Sequence, residues 1–546
     1  MRKQPAVVVA AFAVLLALAG CVGVPSGGGV QVGPMIDDPD NPGVEFVVLG
    51  PTPNATPDEI LAGFMQAVRA PQSNFQVARS FFTAEMASSW EPDAGTLIRS
   101  GAATITVADA PDTLSYTVTT GALVDNRGRY SEPPPAGQTL SYGFAQEDGQ
   151  WRISSAPKGI VLSRSSFSLV FAEQSLYFFD PSYRYLVPDV RWFAKRSNIT
   201  RDTVTALLAG PSDWLVQAGV TAFPQVTTLG SVSVQAGQAI VDLSNEVINS
   251  SPAARDQMRQ QLVATLGIAN VVITVGGTEL ATPIASGNDA ITPTVDSAAL
   301  IGTDKSFGFS GGAEIASIPG VSSLVTETGA FAASLAQDKL SAVILSAEGV
   351  SLAAAGSSSA TLIDDRPGLI RPSIDTFGFV WTAQGNDASS LVTFGSDGVP
   401  HALQSGLPAD SSIVSMAVSR DGARLLVYLA TPVGAKLAVA GIIRQDAVPT
   451  RLGQLFDLPT PLGAPVDATW VDDRSVATVS GSGVITLVEI GGPTQLLGQL
   501  NDATTIAGGT GGTDGLRVLS AGEVWRSQGS GWVPTGIQAT FLGTKQ

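Results

Sequence analysis

Two mixed α+β modules followed by an all-β, propeller-like region are what the sequence predicts, so the 546 residues read as a multi-domain protein. Three observations carry this expectation. In each of the first two modules, apolar residues fall partly at helical spacing and partly at the alternating spacing of strands. After the second module helical spacing disappears, and Gly, Ser, Thr and Val dominate. From there on, short strand-turn-strand units recur at intervals of roughly 35 to 55 residues, the length of a propeller blade.

The N-terminal stretch belongs to none of these modules. Arg2 and Lys3 precede an apolar run from Ala6 to Leu18, which ends in Leu18-Ala19-Gly20-Cys21. A charged start, a short apolar centre and a small-residue exit describe a secretory signal over residues 1–20. The run is shorter than the roughly 20 residues a bilayer-spanning helix needs. Leu-Ala-Gly-Cys resembles the bacterial lipobox, and Cys21 is the only cysteine in the chain, so no internal disulfide competes for it. The expectation is cleavage before Cys21 and its modification with S-diacylglycerol and N-acyl groups such as palmitate. Residues 21–44, rich in Gly, Pro, Ser and Asp, then serve as a flexible tether. The anchored chain is expected on the extracytoplasmic face of the cell membrane.

The first module spans 45–165. Thr56-Pro57-Asp58-Glu59 is a helix start, and Ile60, Leu61, Phe64, Met65 and Val68 keep helical spacing. A second helical stretch covers Phe75 to Met86. Alternation follows at Ala103–Val107, Leu114–Thr119, Thr139–Ala145 and Gln150–Ile153, with turns at Asn126-Arg127-Gly128 and Glu147-Asp148-Gly149. A cone-shaped fold of the NTF2-like kind fits this order by analogy. The second module, 170–278, has strands at Leu176–Asp180 and Tyr185–Trp192, and a helix at Thr203–Ala209 stopped by Gly210-Pro211. A hairpin follows at Ser231–Val234 and Ala239–Ser244, then a helix at Arg255–Leu266 and a strand at Val271–Val275. Residues 285–546 hold the repeats and leave room for about six blades at that period.

Composition narrows function. Hydrophobic residues make up 44% of the chain, enough to bury real cores. A formal charge of −17 argues against nucleic acid or an anionic membrane surface as a general partner. The single histidine, His401, sits in a turn-like Gly398-Val399-Pro400-His401 and has no recognisable nucleophile elbow to serve. Metal binding finds no cysteine–histidine set, and the acidic pairs Asp364-Asp365 and Asp472-Asp473 lie outside any EF-hand pattern and read as solvated turns. Gly508-Gly509-Thr510-Gly511-Gly512 lacks the lysine of a phosphate loop. No catalytic residues, metal or cofactor are therefore expected, and a binding protein is favoured over an enzyme.

A family resemblance rests on several short segments. These are Tyr177-Phe178-Phe179-Asp180, Leu186-Val187-Pro188, Leu207-Leu208-Ala209-Gly210-Pro211, Ile240-Val241-Asp242-Leu243-Ser244 and Gln261 to Leu266. They resemble the GerMN domain of spore-germination proteins. With the lipobox, Trp151-Arg152-Ile153 and Pro157-Lys158-Gly159-Ile160 before them and the repeats after, the order is similar to the actinobacterial LpqB lipoproteins. The motif residues also have an ordinary structural use: Gly210-Pro211 stops a helix and Asp242 satisfies backbone donors in a turn. The resemblance implies an accessory protein of a two-component system. Its partner would be the extracellular part of an MtrB-like sensor kinase, with effects on envelope homeostasis and cell division. The alternative is a cell-wall glycan-binding lipoprotein, with Trp192, Trp214 and Trp381 as stacking surfaces.

Overall fold

The structure is a computed structural model that describes residues 48–545, apart from 283–289, 294–297, 311–313, 510–511 and 530. Cys21 and its tether lie outside the described residues.

The first module opens with α1 (Pro57–Ala67), entered through a reciprocal cap. Glu59 N–H donates to Thr56 Oγ1 at 3.4 Å, and Thr56 N–H donates to Glu59 Oε2 at 2.8 Å. The expected second helical stretch is two helices, α2 (Gln72–Arg79) and α3 (Ala84–Ser89). The break arises because the Thr83 side chain caps a new helix while its own N–H donates to Ile153 O of the sheet. The sheet comprises β1 (Gly95–Val107), β2 (Thr113–Asp125), β3 (Tyr130–Ser131), β4 (Ala136–Glu147), β5 (Gln150–Ser155) and β6 (Ile160–Ser163). Its order is β5-β4-β2-β1-β6, with β3 added beside β2. On β2 the even-numbered residues from Leu114 to Val124 are all buried, so one sheet face packs on the helices around Phe64, Phe82 and Trp90. The short β6, which runs parallel to β1, carries no alternation long enough to read from sequence.

After α4 (Arg164–Val170) come β7 (Phe171–Phe179) and β8 (Leu186–Ala194), which form a two-stranded sheet with a single outside bridge from Phe179 to Val220. The hairpin is therefore a separate sheet rather than part of the second module's sheet. That module has α5 (Ile199–Leu208), β9 (Leu229–Gln235), β10 (Gln238–Leu243), α6 (Pro252–Leu266), β11 (Asn270–Val275) and β12 (Thr278–Glu279). The sheet order is β12-β11-β10-β9. Helix α6 carries the chain over to β11, which lies parallel to β10, and Met258 and Leu262 pack on Val241, Leu243 and Ile273. Asp242 accepts from Gly277 N–H at 2.9 Å and from Thr274 Oγ1 at 2.7 Å, the structural use expected of it.

Among the described residues the remainder forms five sheets, antiparallel but for one parallel pair in an eight-stranded sheet that spans two blades. Their innermost strands are Ala332–Leu335, Ser373–Ile374, Ser412–Val418, Pro465–Trp470, Ala503–Ala507 and Phe541–Lys545, and each touches the next around a closed ring. Closure is made by Phe541–Lys545, which pairs antiparallel with Leu300–Gly302 and parallel with Ala332–Leu335. This is a six-bladed propeller whose first blade is assembled from both ends of the region.

One buried ion pair ties four consecutive blades at their innermost strands. Arg371, just before the third blade, donates to both oxygens of Asp467 on the fifth, at 3.0 and 2.7 Å. Ser415 Oγ of the fourth blade donates to Asp467 Oδ1 at 2.7 Å, and Ile506 N–H of the sixth donates to Oδ2 at 2.9 Å. With the Ala468 N–H, which donates to Oδ1 at 2.9 Å, five donors satisfy a carboxylate that is only 4% exposed. Asp467→Ala leaves Arg371 buried without its counter-charge, a loss of about 3–5 kcal/mol. The denaturant midpoint of the mature chain, followed by tryptophan fluorescence, should fall accordingly. A midpoint equal to wild type would show that the pair does not hold the ring.

Candidate functional site

The three modules meet at the β7–β8 hairpin, and the local sequence explains its shape. Its turn is organised by the fully buried Asp180, which accepts from Ser182 N–H and Arg184 N–H at 2.8 Å each and from Tyr185 N–H at 2.6 Å. Strand β8 is buried along almost its whole length, because it has neighbours on both faces. Val190 and Trp192 join the core of the first module, whereas Val187 joins the core between the fourth and fifth blades.

Trp192 uses both of its N–H groups across module boundaries. The backbone N–H donates to Gly128 O at 2.8 Å, and the indole Nε1–H donates to Gly491 O of the fifth blade at 2.8 Å. Gly128 is required there: its φ is +77°, and a Cβ would lie 2.9 Å from Trp192 O.

A buried polar knot ties β8 to the 209–213 turn. Arg191 donates to Asp189 Oδ2 and to Ser212 Oγ, both at 2.8 Å. Ser212 in turn gives Asp189 its backbone N–H at 2.7 Å and its hydroxyl at 2.9 Å. Burial pushes the Asp189 carboxyl up and the Arg191 guanidinium down, against their mutual attraction and, for Asp189, the Ser212 donors. Two residues on, Trp214 stacks on Phe456 of the fourth blade, with centroids 5.5 Å apart and planes at 17°. Gly441 of the same blade makes room for this loop, since a Cβ would sit 2.6 Å from Ala218 Cβ and 3.0 Å from Trp214 O.

Between these ties the modules leave space. A cavity of about 560 Å³ opens where β1, β4 and β6 face Pro188, Val190, Trp214, Phe456 and Gly491. A second, of about 430 Å³, lies against the Asp125–Arg129 turn and is walled by Phe75, Phe171, Trp192, Phe193 and Arg196. Arg129 bridges Asp125 at 2.7 Å and Asp213 at 3.1 Å, linking first and second modules at the rim.

The hairpin meets the fifth blade through a cluster of acids. Arg474 pairs with Glu173 and Tyr177 Oη donates to Asp473 Oδ2 at 3.3 Å. The Glu489 carboxyl hydrogen-bonds to Glu173, an arrangement that needs a proton. Burial first, then the charge and hydrogen bond of Glu173, push Glu489 up to about 8, against the pull of Arg474.

The remaining candidates from sequence fall outside this junction. His401 lies on an outer strand of the third blade, edge-on to Phe379 at 5.5 Å, with no carboxylate or nucleophile bonded to it among the described residues. Asp364 is not solvated: it is 4% exposed and accepts from Arg366 and Thr382. Asp472 caps its own turn through Arg474 N–H and Ser475 N–H, and its neighbour Asp473 takes the Tyr177 hydroxyl. Among the described residues no group of His, Cys, Asp and Glu is arranged to hold a metal. Trp192, Trp214 and Trp381 are buried, and Trp381 donates to Asp375 at 2.9 Å. The residues that sequence reasoning missed are Asp189 and Ser212, which meet across 23 positions within the second module, and Glu173 and Glu489, which meet across a module boundary. No spacing rule links Glu173 to Glu489.

A carboxyl with a raised pKa favours the state that holds its proton. The Glu489 contribution is therefore complete below the ordinary carboxyl range, near ~4.3, and is lost as pH rises through about 8. Wild type should lose stability between pH 5 and 8 by more than Glu489→Gln, in which a neutral amide replaces the acid. Identical pH profiles of the unfolding midpoint would sink this assignment.

Comparisons with known proteins agree on one family. Residues 50–168 match the family model described as Lipoprotein LpqB, N-terminal domain. Residues 175–281 match the model for sporulation and spore germination, and 309–539 match the Lipoprotein LpqB beta-propeller domain. Lipoprotein LpqB of Cutibacterium acnes is 33% identical over 310 residues, covering 53% of this chain and 50% of that protein. Lipoprotein LpqB of Streptomyces avermitilis is 24% identical over 529 residues, covering 85% and 84%. For the first relatives the match spans about half of their length or less, 50% in Cutibacterium acnes and 44% in Thermobifida fusca. Among solved structures, the first GerMN domain of the sporulation protein GerM from Bacillus subtilis is 25% identical, with a TM-score of 0.16, covering 22% of this chain and 96% of that one. With two of its three modules matched to LpqB's own models, in the order the resemblance implies, the chain belongs to the LpqB lipoprotein family.

Proposed function

We propose that the chain is held on the extracytoplasmic face of the cell membrane by lipid on Cys21 and regulates an MtrB-like sensor histidine kinase, bearing on envelope homeostasis and cell division. The observation that carries this reading is the propeller's second face. The second module occupies the end where the innermost strands finish, through Tyr185 to Gln337 at 2.9 Å and Tyr177 to Asp473. The opposite end, where those strands begin, holds Phe331, Val433 and Leu462, which are 53%, 98% and 93% exposed. Exposed apolar side chains on a rigid ring suit a protein partner. No helix among the described residues is long and apolar enough to cross a membrane. Anchoring raises the effective concentration of the chain beside a receptor in the same membrane.

The glycan-binding alternative is weakened by the burial of Trp192, Trp214 and Trp381, which leaves none of the three as a sugar platform.

The purified mature chain should bind the kinase ectodomain with a dissociation constant on the order of 10 µM or tighter. Leu462→Asp together with Val433→Asp should remove that binding without changing the thermal midpoint. In cells, Cys21→Ala should lose the crosslink to the kinase that the wild type forms. Absence of any complex between the two folded proteins at tens of micromolar would overturn direct contact.

A further inference from the structure

We infer that β9 is an assembly edge, at which two copies of the chain pair their sheets antiparallel about a two-fold axis through Ser233. The inference is independent of the kinase reading and of the propeller face that reading uses.

The second module's sheet has two edges. At one, β12 is only Thr278–Glu279 and carries an acid. At the other, β9 runs from Leu229 to Gln235 without a charge or a proline, and five of its seven residues are exposed. Edges of that kind pair with other chains unless something guards them. Guards are present on the outer propeller strands Pro400–Ala402, Val448–Leu452 and Gly531–Gln538, each of which contains a proline.

The hairpin register shows which groups are open. Ala236 and Gly237 form a two-residue turn with φ of +48° and +76°, so Gln235 and Gln238 are a hydrogen-bonded pair. Bonding to β10 then alternates along β9. Ser233 and Ser231 turn their N–H and C=O inward, and Val232 and Val234 turn theirs outward. Gly230, next in the series, points its carbonyl out to Arg201 Nη1 at 3.4 Å. Among the described residues nothing bonds the outward groups of Val232 and Val234.

A second copy of the chain completes this pattern. With Ser233 opposite Ser233, Val232 of each copy lies opposite Val234 of the other, and each such pair exchanges both main-chain bonds. Valine then meets valine on one face of the joined sheet, and serine meets serine on the other. Charge points the same way. A chain of net charge −17 repels its own copies over most of its surface, whereas no charged residue occurs from Trp214 to Val241. The neutral edge is where two such chains approach at least cost.

The interface is small, of the transient class below about 1,200 Å², so covalent trapping reads it best. The test uses the mature chain with Cys21→Ser, in which Ser233→Cys supplies the single thiol. Directly opposed residues of a non-hydrogen-bonded pair have Cα atoms about 4.5 Å apart, within disulfide reach. Ser231→Cys would lie about 14 Å from its counterpart. Copper-phenanthroline oxidation at tens of micromolar should therefore give a disulfide dimer roughly tenfold faster with Ser233→Cys than with Ser231→Cys. Adding Val234→Lys should slow trapping to the Ser231→Cys rate with the thermal midpoint unchanged, because a charge then sits on the edge. Val234→Pro should do the same by removing an outward N–H. Equal trapping rates for the two cysteines would overturn the inference. So would an unchanged Ser233→Cys rate in Val234→Lys, and if that variant instead lost kinase-ectodomain binding, the edge would belong to a foreign strand.

Discussion

The architecture depends on one side chain that cannot be satisfied inside its own module. Trp192 has two N–H donors in a buried strand, and the acceptors are Gly128 O in the first module and Gly491 O in the propeller. Undocking either neighbour would leave a buried donor unpaired or expose the indole to water, each at about 1–3 kcal/mol. The β7–β8 hairpin thus behaves as a shared core element rather than as a linker. Its strands form a sheet of their own, and their outer edges bond single neighbouring residues, Phe179 with Val220 and Trp192 with Gly128.

The propeller uses the same device at its centre. Asp467 accepts from groups on three other blades, so a radial displacement of any of them costs a charge-assisted bond. Ser334, which bonds Thr544 and donates to Pro372 O at 2.7 Å, ties the first three blades in a similar way. A polar axis satisfied by its own ring is stiff. It also makes the ring's faces, and not its interior, the natural place for a partner.

Local structure was legible in the sequence, and long-range structure was not. The Thr56 cap, the hairpin of the second module and the period of the blades follow from residues within a few positions of one another, and the structure has each of them. Thr83 splits an expected helix because its N–H is claimed by Ile153, which lies in a different part of the chain. Asp364 looked like a solvated turn, because an acid beside an acid carries no sign of the Arg366 and Thr382 donors that bury it. The junction was invisible for the same reason: Asp189 and Ser212 lie 23 positions apart, and Trp214 and Phe456 come together only once separate modules dock. The single histidine is plain from the sequence, and the structure sets His401 beside Phe379 on an outer strand of the third blade.

Ring closure by Phe541–Lys545 has a bearing on how the protein comes into being. That strand follows every other blade strand in the chain, yet it sits between Leu300–Gly302 and Ala332–Leu335. A polypeptide that emerges N-terminus first carries those two strands with bare edges until everything between them has been made. Bare edges are the features by which strands mispair and proteases find their substrates. The clasp is therefore a record of completion: only a chain read through to its final blade can hide them, and an interrupted one stays marked as unfinished.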